Sequence, residues 1–370
     1  MHIWNYFQAM ERKDNAVIIG LMSGTSLDGL DICACEFTNN HNSIQFRIIH
    51  AETISYSEEW TKKLNNAVQL SGENLTKLHH ELGNYFGNAV LDFIQRNRLK
   101  PALISSHGHT VFHQPHNGFT LQIGSGANIA ALTGIDTVCD FRTKDVALGG
   151  QGAPLVPIGD QYLFGHYQAC LNLGGIANIS YFQNQKRIAF DICPVNMALN
   201  YYAEKLNLAY DNKGQIASTG KVIGELLSQL NQLSFYFETG PKSLGKEWFE
   251  KHFLLVVTKF EKEDNAEIAN ILCTIVEHIA MQHSFIFSNA NIKGPVLVTG
   301  GGALNEFLIS RIIANTETEI SIPDADVINH KEALIFALLG WLYCENKTNT
   351  LSSATGSKKD SIGGALYKGH

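Results

Sequence analysis

The chain has 370 residues, with 28 lysines and arginines against 35 aspartates and glutamates, for a formal net charge of −7. Hydrophobic residues make up 45% and charged residues 17%, which excludes a disordered protein, and the acidic balance excludes a general nucleic-acid binder, which needs a basic surface. The length predicts about two domains, and 32 glycines against 8 prolines suggest backbone that approaches a ligand closely.

The N-terminal residues and the cysteines predict a cytoplasmic protein. The first residues lack the basic start and apolar core of a signal peptide, and no apolar run approaches the roughly 18 residues that span a bilayer. The seven cysteines are scattered and form no Cys-x-x-Cys pair. Scattered cysteines in odd number are typical of reduced thiols.

The first half of the chain opens with a predicted β-hairpin. Residues 17–22 and 30–37 are apolar runs, and the turn-rich residues 23–29 separate them. Residues 58–98 have helical spacing with an apolar face, and residues 102–106 form a short strand. The apolar face of that helix is formed by Leu75, Leu78, Leu82 and Phe86.

The second half alternates strands and helices. Its predicted strands are residues 169–173, 176–180, 187–191 and 295–299, and its predicted helices are residues 196–209, 222–233, 265–287, 305–314 and 331–340. Hairpins mixed with long helices indicate an α/β or α+β protein with mixed sheets. The hairpins at 17–37 and 169–190 each place a glycine turn between apolar strands, which suggests two related halves facing a cleft.

The tip of the first hairpin could bind a phosphate. Residues 23–29, Ser-Gly-Thr-Ser-Leu-Asp-Gly, offer three hydroxyls, backbone N–H groups and one carboxylate. Glycine lets the backbone approach an anion, and N–H groups at a turn can form an anion-binding nest. The alternative is an ordinary polar turn.

Two other glycine segments resemble nucleotide-binding loops only in part. Residues 300–302 follow a strand, but Asn305 stands where a dinucleotide fold has glycine. They could still place a phosphate or adenosine at the helix N-terminus, or form only a tight turn. Residues 240–247 nearly match a P-loop, but Glu247 replaces the hydroxyl that holds Mg²⁺, so we discount one.

Two further segments carry chemically active side chains. Residues 107–116 contain four histidines, at positions 107, 109, 113 and 116. No carboxylate or thiol follows at ligand spacing, so a polar substrate contact is favoured over a metal. Asp191 ends an apolar strand, where it could act as a general base or cap the following helix.

Together these segments resemble one family, the anhydro-N-acetylmuramic acid kinases of the actin/Hsp70/hexokinase-like ATPase superfamily. The resemblance runs from about residue 20 to residue 367 and is carried by several long motifs in the same order. These motifs are residues 20–31, 106–115, 140–157, 172–178, 240–243 and 299–302.

The resemblance implies a two-lobed, actin-like α/β fold of the ribonuclease H type, with mixed sheets and a nucleotide cleft between the lobes. Residues 1–136 with 350–370 would form the N-terminal lobe, and residues 137–349 the C-terminal lobe. The family converts 1,6-anhydro-N-acetylmuramic acid, ATP and water to N-acetylmuramic acid 6-phosphate and ADP, in peptidoglycan recycling. We therefore expect ATP and Mg²⁺ as cofactors, a homodimer, and neither nucleic-acid nor membrane partners.

The resemblance also gives the motifs roles, and we assign no protein residue as a metal ligand. Asp191 would be the catalytic base, and His107, Arg142 and Glu332 would bind the sugar. The expected ATP-binding residues are Gly24, Thr25, Ser26, Leu27, Asp28, Gly29, Leu30, Asp31, Gly174, Gly175, Gly300, Gly301 and Gly302.

The chain departs from the family pattern at a few positions. After Asp191 the family commonly has Thr-Gly-Pro-Gly-Asn, whereas this chain has Ile192, Cys193, Pro194, Val195 and Asn196. Glutamine is usual at the position of His109, and arginine often stands where this chain has Lys144 and Lys246. Two alternatives stay open: a kinase of the same fold for another sugar, and a nucleotide-binding regulatory module with little turnover.

Overall fold

The computed structural model of the protein describes residues 16–40, 43–238, 242–263 and 266–369. The chain divides into a first unit, Met1–Leu163 with His330–His370, and a second unit, Phe164–Asn329. Each unit has a mixed sheet and a hydrophobic core of its own.

The first unit is built on a sheet that opens with the predicted hairpin. Its strand order is β12-β6-β4-β1-β2-β3, with β5 paired to β4. β2 is antiparallel to β1 and β3, whereas β4 is parallel to β1 and β6. The strands are β1 (Val17–Ser23), β2 (Gly29–Asn40), β3 (Ser43–Ser55), β4 (Leu103–Gln114), β5 (Phe119–Ile123), β6 (Thr137–Cys139) and β12 (Ala365–Tyr367).

The second unit is built on a sheet of order β11-β10-β7-β8-β9. β8 is antiparallel to β7 and β9, whereas β10 is parallel to β7 and β11. The strands are β7 (Ala169–Leu173), β8 (Ile176–Gln183), β9 (Lys186–Pro194), β10 (Val296–Thr299) and β11 (Ile320–Ser321).

The two sheets repeat one arrangement. The series β3-β2-β1-β4-β6 and β9-β8-β7-β10-β11 have the same order and the same strand directions: an antiparallel three-strand meander, with two parallel strands beside its first strand. The two related halves that the hairpins suggested are confirmed as two sheets of one topology. The predicted α/β class with mixed sheets is also confirmed.

The helices largely follow the predicted segments. Serine or asparagine side chains cap several helix N-termini, as at Ser71, which accepts a hydrogen bond from the Asn74 N–H. Described helices are α1 (Glu58–Asn65), α2 (Gly72–Asn97), α3 (Gly126–Thr133), α4 (Thr143–Ala147), α5 (Val156–Leu163), α6 (Asn196–Glu204), α7 (Gln215–Thr219), α8 (Gly224–Asn231), α9 (Lys246–Trp248), α10 (Leu254–Glu263), α11 (Ile268–Asn289), α12 (Glu306–Ala314), α13 (Ala325–Cys344) and α14 (Ser352–Thr355).

The apolar part of α13 packs on the sheet of the first unit. A Cβ at Gly20 would collide with the carbonyl oxygen of Ala333, and Ser105 in β4 donates a hydrogen bond to the Phe336 carbonyl at 2.5 Å. The helix leaves regular geometry at His330 (φ −122°, ψ 18°), where the chain re-enters the first unit.

These contacts correct the predicted domain boundaries. Residues 330–349 and residues 137–163 belong to the first unit, not to the C-terminal lobe. The reason is pairing and packing: β6 extends the first sheet beside β4, and Lys331 of α13 forms a buried ion pair with Asp160 of α5 at 2.8 Å. Neither contact has a local sequence signal.

Helix α11 is the one described helix whose length and composition alone would allow it to cross a membrane. The burial of 67% of its apolar window gives that apolarity another explanation, because core helices of globular domains are equally apolar.

Candidate active site

The tip of the first hairpin is an open loop. Between β1 and β2, the Leu27 N–H donates to the Gly24 carbonyl at 3.3 Å, and Leu27 adopts φ +62°. The side chains of Thr25, Ser26 and Asp28 are exposed. A Cβ at Gly24 would meet only atoms of Ser26, at 3.4 Å or more, so the Gly24 backbone is accessible to a ligand.

The next two residues of the predicted phosphate segment have packing roles. Leu30 is fully buried in the core. A Cβ at Gly29 would collide with the Ile54 carbonyl on β3, so glycine is needed there for the close approach of β2 to β3. Both residues therefore fix the start of β2, directly after the loop.

Asp31 lies on β2, just beyond the loop, and its carboxylate is half-buried. Thr53 on β3 donates a hydrogen bond to Asp31 Oδ1 at 2.6 Å, and the same hydroxyl lies 3.4 Å from His330 Nε2. Burial raises the pKa of Asp31, while the Thr53 bond and the nearby His330 oppose the rise.

The three residues expected to bind the sugar come together in the first unit. Arg142 donates from Nε to His107 Nε2 at 3.0 Å and from Nη1 to the Gly152 carbonyl at 2.7 Å. His107 Nε2 accepts, so its Nδ1–H donates to the Gly108 carbonyl at 2.9 Å. Burial, reinforced by Arg142, holds the pKa of His107 well below its usual value, which keeps the ring neutral.

Glu332 completes this group. Desolvation of its carboxyl by surrounding protein atoms raises its pKa, although the residue keeps exposed surface; Arg142 opposes the rise and Asp31 adds to it. Burial lowers the pKa of Arg142 to about 10, and Glu332 opposes that change, so the guanidinium stays charged. We call Asp31, His107, Arg142 and Glu332 the first-unit polar cluster.

The remaining histidines of residues 107–116 differ in their surroundings. Nδ1 of His109 lies 2.9 Å from the Ser23 hydroxyl, whereas His113 and His116 are exposed. In the described part of the chain, no three histidine, cysteine, aspartate or glutamate side chains are grouped to hold a metal.

The tip of the second hairpin consists only of Gly174 and Gly175, and the start of α6 is bonded to it. The N–H groups of Val195 and Met197 donate to the Gly175 carbonyl, and that of Asn196 donates to the Gly174 carbonyl, at 2.9–3.1 Å. The Asn196 side chain also donates to the Leu173 carbonyl at 3.1 Å. These bonds fix the hairpin and use the unpaired N–H groups of the helix start.

The segment Gly300 to Gly302 packs on the end of β7. Gly300 has φ +81°, and a Cβ there would lie 2.8 Å from the Leu173 carbonyl carbon. A Cβ at Gly302 would lie 2.7 Å from the Leu173 side chain, whereas Gly301 is exposed. The segment lies with the second hairpin at the carboxyl ends of β7 and β10, the edge where open α/β sheets bind ligands.

Asp191 does not end its strand as predicted, because β9 continues to Pro194. Its Oδ2 accepts hydrogen bonds from the Leu244 N–H at 2.8 Å and the Ser243 hydroxyl at 3.1 Å. Its N–H donates to the Lys242 carbonyl at 2.9 Å. Asp191 does not cap α6, which begins after Val195 without a side-chain cap; the capping alternative is wrong.

The electrostatic setting of Asp191 favours a base. Burial raises the pKa of its carboxyl, and the bonds from Leu244 and Ser243 oppose the rise. Among the described residues, Oδ1 makes no hydrogen bond, while Oδ2 makes two. The carboxylate is thus fixed by one oxygen and can accept a proton on the other.

Sequence reasoning missed several residues that share a row of the sheet with Asp191 or contact it. Strand pairing places Thr299, Asn172, Asn178 and Asp191 in one row across β10, β7, β8 and β9, and both asparagines belong to the motif at residues 172–178. Ser243 comes from the near-P-loop segment, whose Gly240 and Pro241 lie outside the described residues. The motif at residues 172–178 is the sequence signal that marks the two asparagines.

The departures from the family pattern have two structural explanations. Ile192, Cys193 and Val195 are buried in the core of the second unit, where they replace glycine and hydroxyl groups by packed side chains. Lys144 donates to the Ile362 carbonyl at 2.8 Å, and Lys246 lies 3.8 Å from Glu250 at an exposed position. Within the described residues, neither lysine contacts a predicted site residue.

Comparison with known proteins assigns the chain to one group. The family model for anhydro-N-acetylmuramic acid kinase matches residues 16–369. Proteins named anhydro-N-acetylmuramic acid kinase from Microcystis aeruginosa and Coxiella burnetii are 32% and 36% identical, each over 95% of this chain and over 100% and 97% of their own lengths. A solved 2-hydroxyglutaryl-CoA dehydratase component A from Acidaminococcus fermentans is 10% identical, with a TM-score of 0.46 over 89% of this chain and 99% of its own.

Proposed function

The chain belongs to the anhydro-N-acetylmuramic acid kinase family, and on that premise we propose how its residues perform the family's reaction. The protein is a sugar kinase of peptidoglycan recycling. It converts 1,6-anhydro-N-acetylmuramic acid, ATP and water to N-acetylmuramic acid 6-phosphate and ADP. The observation that carries the proposed mechanism is the carboxylate of Asp191, held through one oxygen by Ser243 and Leu244.

Asp191 acts as the general base. Oδ1 takes a proton from water while the water oxygen attacks the anomeric carbon of the sugar. The bond from that carbon to oxygen six breaks, and its electron pair stays on oxygen six, which attacks the γ-phosphorus as ADP leaves. The raised pKa of Asp191 makes its carboxylate a stronger base than an exposed aspartate.

Three residues of the first-unit polar cluster, His107, Arg142 and Glu332, bind the sugar. His107 is neutral and Arg142 is cationic, so together they offer a ring for hydroxyl contacts and a charge for the carboxylate of a muramic acid. Glu332, whose carboxyl interacts electrostatically with Arg142, accepts hydrogen bonds from sugar hydroxyls. The hydrogen bond between Arg142 and His107 fixes both side chains before substrate binds.

The glycine segments bind ATP. The accessible backbone at Gly24, with the exposed Thr25, Ser26 and Asp28, supports a phosphate contact by residues 24–31. Gly174 and Gly175 are proposed for a second phosphate contact, and residues 300–302 for adenosine. Phosphoryl transfer depends mainly on such positioning and on charge neutralisation.

Asp31 and Asp28 fit a magnesium ion bound with ATP. Mg²⁺ in kinases is held by one or two carboxylates together with phosphate oxygens and waters. Asp31 uses Oδ1 for Thr53, which orients the carboxylate, and Asp28 is exposed in the adjacent loop. When bound, Mg²⁺ neutralises charge on the transferring phosphate.

A cytoplasmic homodimer completes the proposal. The homodimer rests on the family resemblance, and the cytoplasmic location rests on the cysteine pattern. All seven cysteines are free thiols, and Cys33 and Cys35 form a thiol–thiol hydrogen bond of 3.3 Å, not a disulfide. Sedimentation velocity measures the assembly, and a monomer at micromolar concentration would contradict the dimer.

A sugar panel tests the function. ADP release is measured with the 1,6-anhydro sugar, with N-acetylmuramic acid and with ordinary hexoses, each with and without Mg²⁺. We expect stimulation by the anhydro sugar alone and loss of turnover with a chelator. Stimulation only by hexoses indicates a kinase for another sugar, and ATP binding without ADP release indicates a regulatory module.

Labelled water tests the mechanism separately. In ¹⁸O-water we expect the label at the anomeric hydroxyl of the product, since water attacks that carbon. Label absent there, or found on the phosphate, contradicts water activation by Asp191.

A further inference from the structure

A buried hydrogen-bond chain lies beneath the first hairpin loop. Ser23 is the last residue of β1, directly before Gly24, and is 1% exposed. Its hydroxyl lies 2.6 Å from the Tyr56 hydroxyl and 2.9 Å from His109 Nδ1. Tyr56 follows β3 and His109 lies in β4, so side chains from three segments of the sheet meet at the base of the loop.

The donors and acceptors along this hydrogen-bond chain follow from its two end groups, Tyr56 and His109. Burial raises the pKa of Tyr56 and lowers that of His109, so the phenol is protonated and the imidazole neutral. Among the described residues, Ser23 is the sole hydrogen-bond partner of the Tyr56 hydroxyl. Tyr56 therefore donates to Ser23, and Ser23 donates to His109 Nδ1, whose hydrogen is then on Nε2.

This hydrogen-bond chain restrains the loop of residues 24–28, which has few other restraints. Within residues 24–28, the one described backbone bond is that from Leu27 to Gly24, and a side chain at Gly24 would meet little. The position of the loop backbone thus depends on its two ends. Ser23 also pairs in register with His109 and Leu30, so the side-chain bonds fix the residue from which the loop departs.

We propose that His109 is a positioning residue for the nucleotide, which it serves through Ser23 by holding the loop of residues 24–28 in the conformation that binds the ATP phosphates. The inference rests on the proposed function, which gives this loop to ATP. Strand β4 thereby serves both substrates: His107 contacts Arg142 of the polar cluster, and His109, two residues later, supports the ATP loop.

Two variants of His109 distinguish the loss of the hydrogen-bond acceptor from the loss of the imidazole ring. His109→Asn keeps an acceptor, because its Oδ1 is as many bonds from Cα as Nδ1 is. His109→Leu has a similar size and no acceptor. We expect His109→Leu to raise the KM for ATP roughly tenfold, with the KM for the sugar within about twofold, and His109→Asn to recover most of the loss.

Matched controls exclude an effect of the substitution itself. His116→Leu makes the same change at an exposed histidine of the same segment and should leave both KM values unchanged. Ser23→Ala removes the middle of the chain and should match His109→Leu. The double variant Ser23→Ala/His109→Leu should be no worse than either single variant, because both interrupt one chain.

The outcomes decide the proposal. An unchanged KM for ATP in His109→Leu, with an unchanged melting temperature, overturns it, and so does an equal rise in both KM values. If His109→Leu does not fold, Ser23→Ala gives the same test. Titration with a fluorescent ATP analogue needs no sugar, so it tests the chain even if the wild-type protein releases no ADP with the anhydro sugar, a result that would count against the proposed function alone.

Discussion

The two hairpins that open the two sheets have the same strand arrangement and different tips. In the first unit, residues 24–28 separate β1 from β2 and expose two hydroxyl side chains and a carboxylate. In the second unit, only Gly174 and Gly175 separate β7 from β8. The first tip can offer side chains and backbone to a ligand, whereas the second can offer backbone alone.

The two candidate acids, Asp31 in the first unit and Asp191 in the second, also differ in their positions and partners. Asp31 lies on the second strand of its meander and accepts one bond from a neighbouring strand. Asp191 lies on the third strand of its meander, and residues 242–244, remote in sequence, hold it. One topology therefore carries two chemistries, because the strands fix positions while the side chains and loops supply reactive groups.

Of the substitutions that test this comparison, Asp191→Asn should have the largest effect on activity. The amide cannot take a proton from water, so we expect kcat to fall by about 10²–10⁴-fold, with binding of an ATP analogue unchanged. Coupled ADP release at saturating sugar measures the loss. Glu247→Gln, at an exposed acid near Ser243 in the sequence, is the control. A kcat of Asp191→Asn near that of the wild type would contradict the role of Asp191 as the base.

Ser243→Ala should reduce kcat by about tenfold and change the pH profile. The serine bond favours the charged form of Asp191, so its removal raises the pKa further. The carboxylate must be ionised to act, so the acid limb of kcat/KM moves to higher pH. Ser243→Thr should restore both values, and Ser218→Ala is an exposed control. A lower kcat without a shifted limb would mean that Ser243 does not act through Asp191.

Paired alanine substitutions distinguish packing glycines from ligand-facing glycines. Gly29→Ala and Gly300→Ala introduce collisions with backbone and should lower the free energy of unfolding by about 1–3 kcal/mol. Gly24→Ala and Gly175→Ala meet no close atoms and should fold as the wild type does, within about 0.5 kcal/mol, but bind ATP more weakly. Urea unfolding and ATP titration measure both, and unaltered ATP binding in Gly24→Ala and Gly175→Ala would contradict a phosphate role for the hairpins.

Thr53→Val should have the smallest effect. The Thr53 bond opposes the raised pKa of Asp31, so its loss raises that pKa further and leaves less carboxylate ionised as the pH falls. We expect the Mg²⁺ concentration for half-maximal rate to rise about twofold to fivefold at acidic pH and little at alkaline pH. Thr61→Val, on helix α1, is the control. An equal change at every pH would contradict a role through Asp31.

Much of the fold was predictable because its signals are local. The apolar runs around the glycine turns at 17–37 and 169–190 gave both hairpins, and the spacing of Leu78, Leu82 and Phe86 gave the buried face of α2. The interruption of residues 58–98 by the turn Ala67–Gln69 and the extension of β4 to Gln114 were missed, since sheet pairing decides where a strand stops.

The sequence could propose which residues belong to the candidate site, but not which of them contact each other. The family resemblance proposed Asp191, His107, Arg142 and Glu332 as site residues, but nothing in their spacing places Arg142 on His107 or Ser243 on Asp191. Those contacts join residues 35 and 52 positions apart, across separate strands and loops.

By itself, the sequence determined the family and the two hairpins, because each has a local pattern of residue types, and it singled out Asp191 as the candidate base. Only the tertiary structure decided where the units divide, which glycines pack and which face outward, and which groups set the pKa of each acid. These properties depend on burial and on atoms brought within about 3 Å of each other, and the chain acquires both only when distant segments pack together.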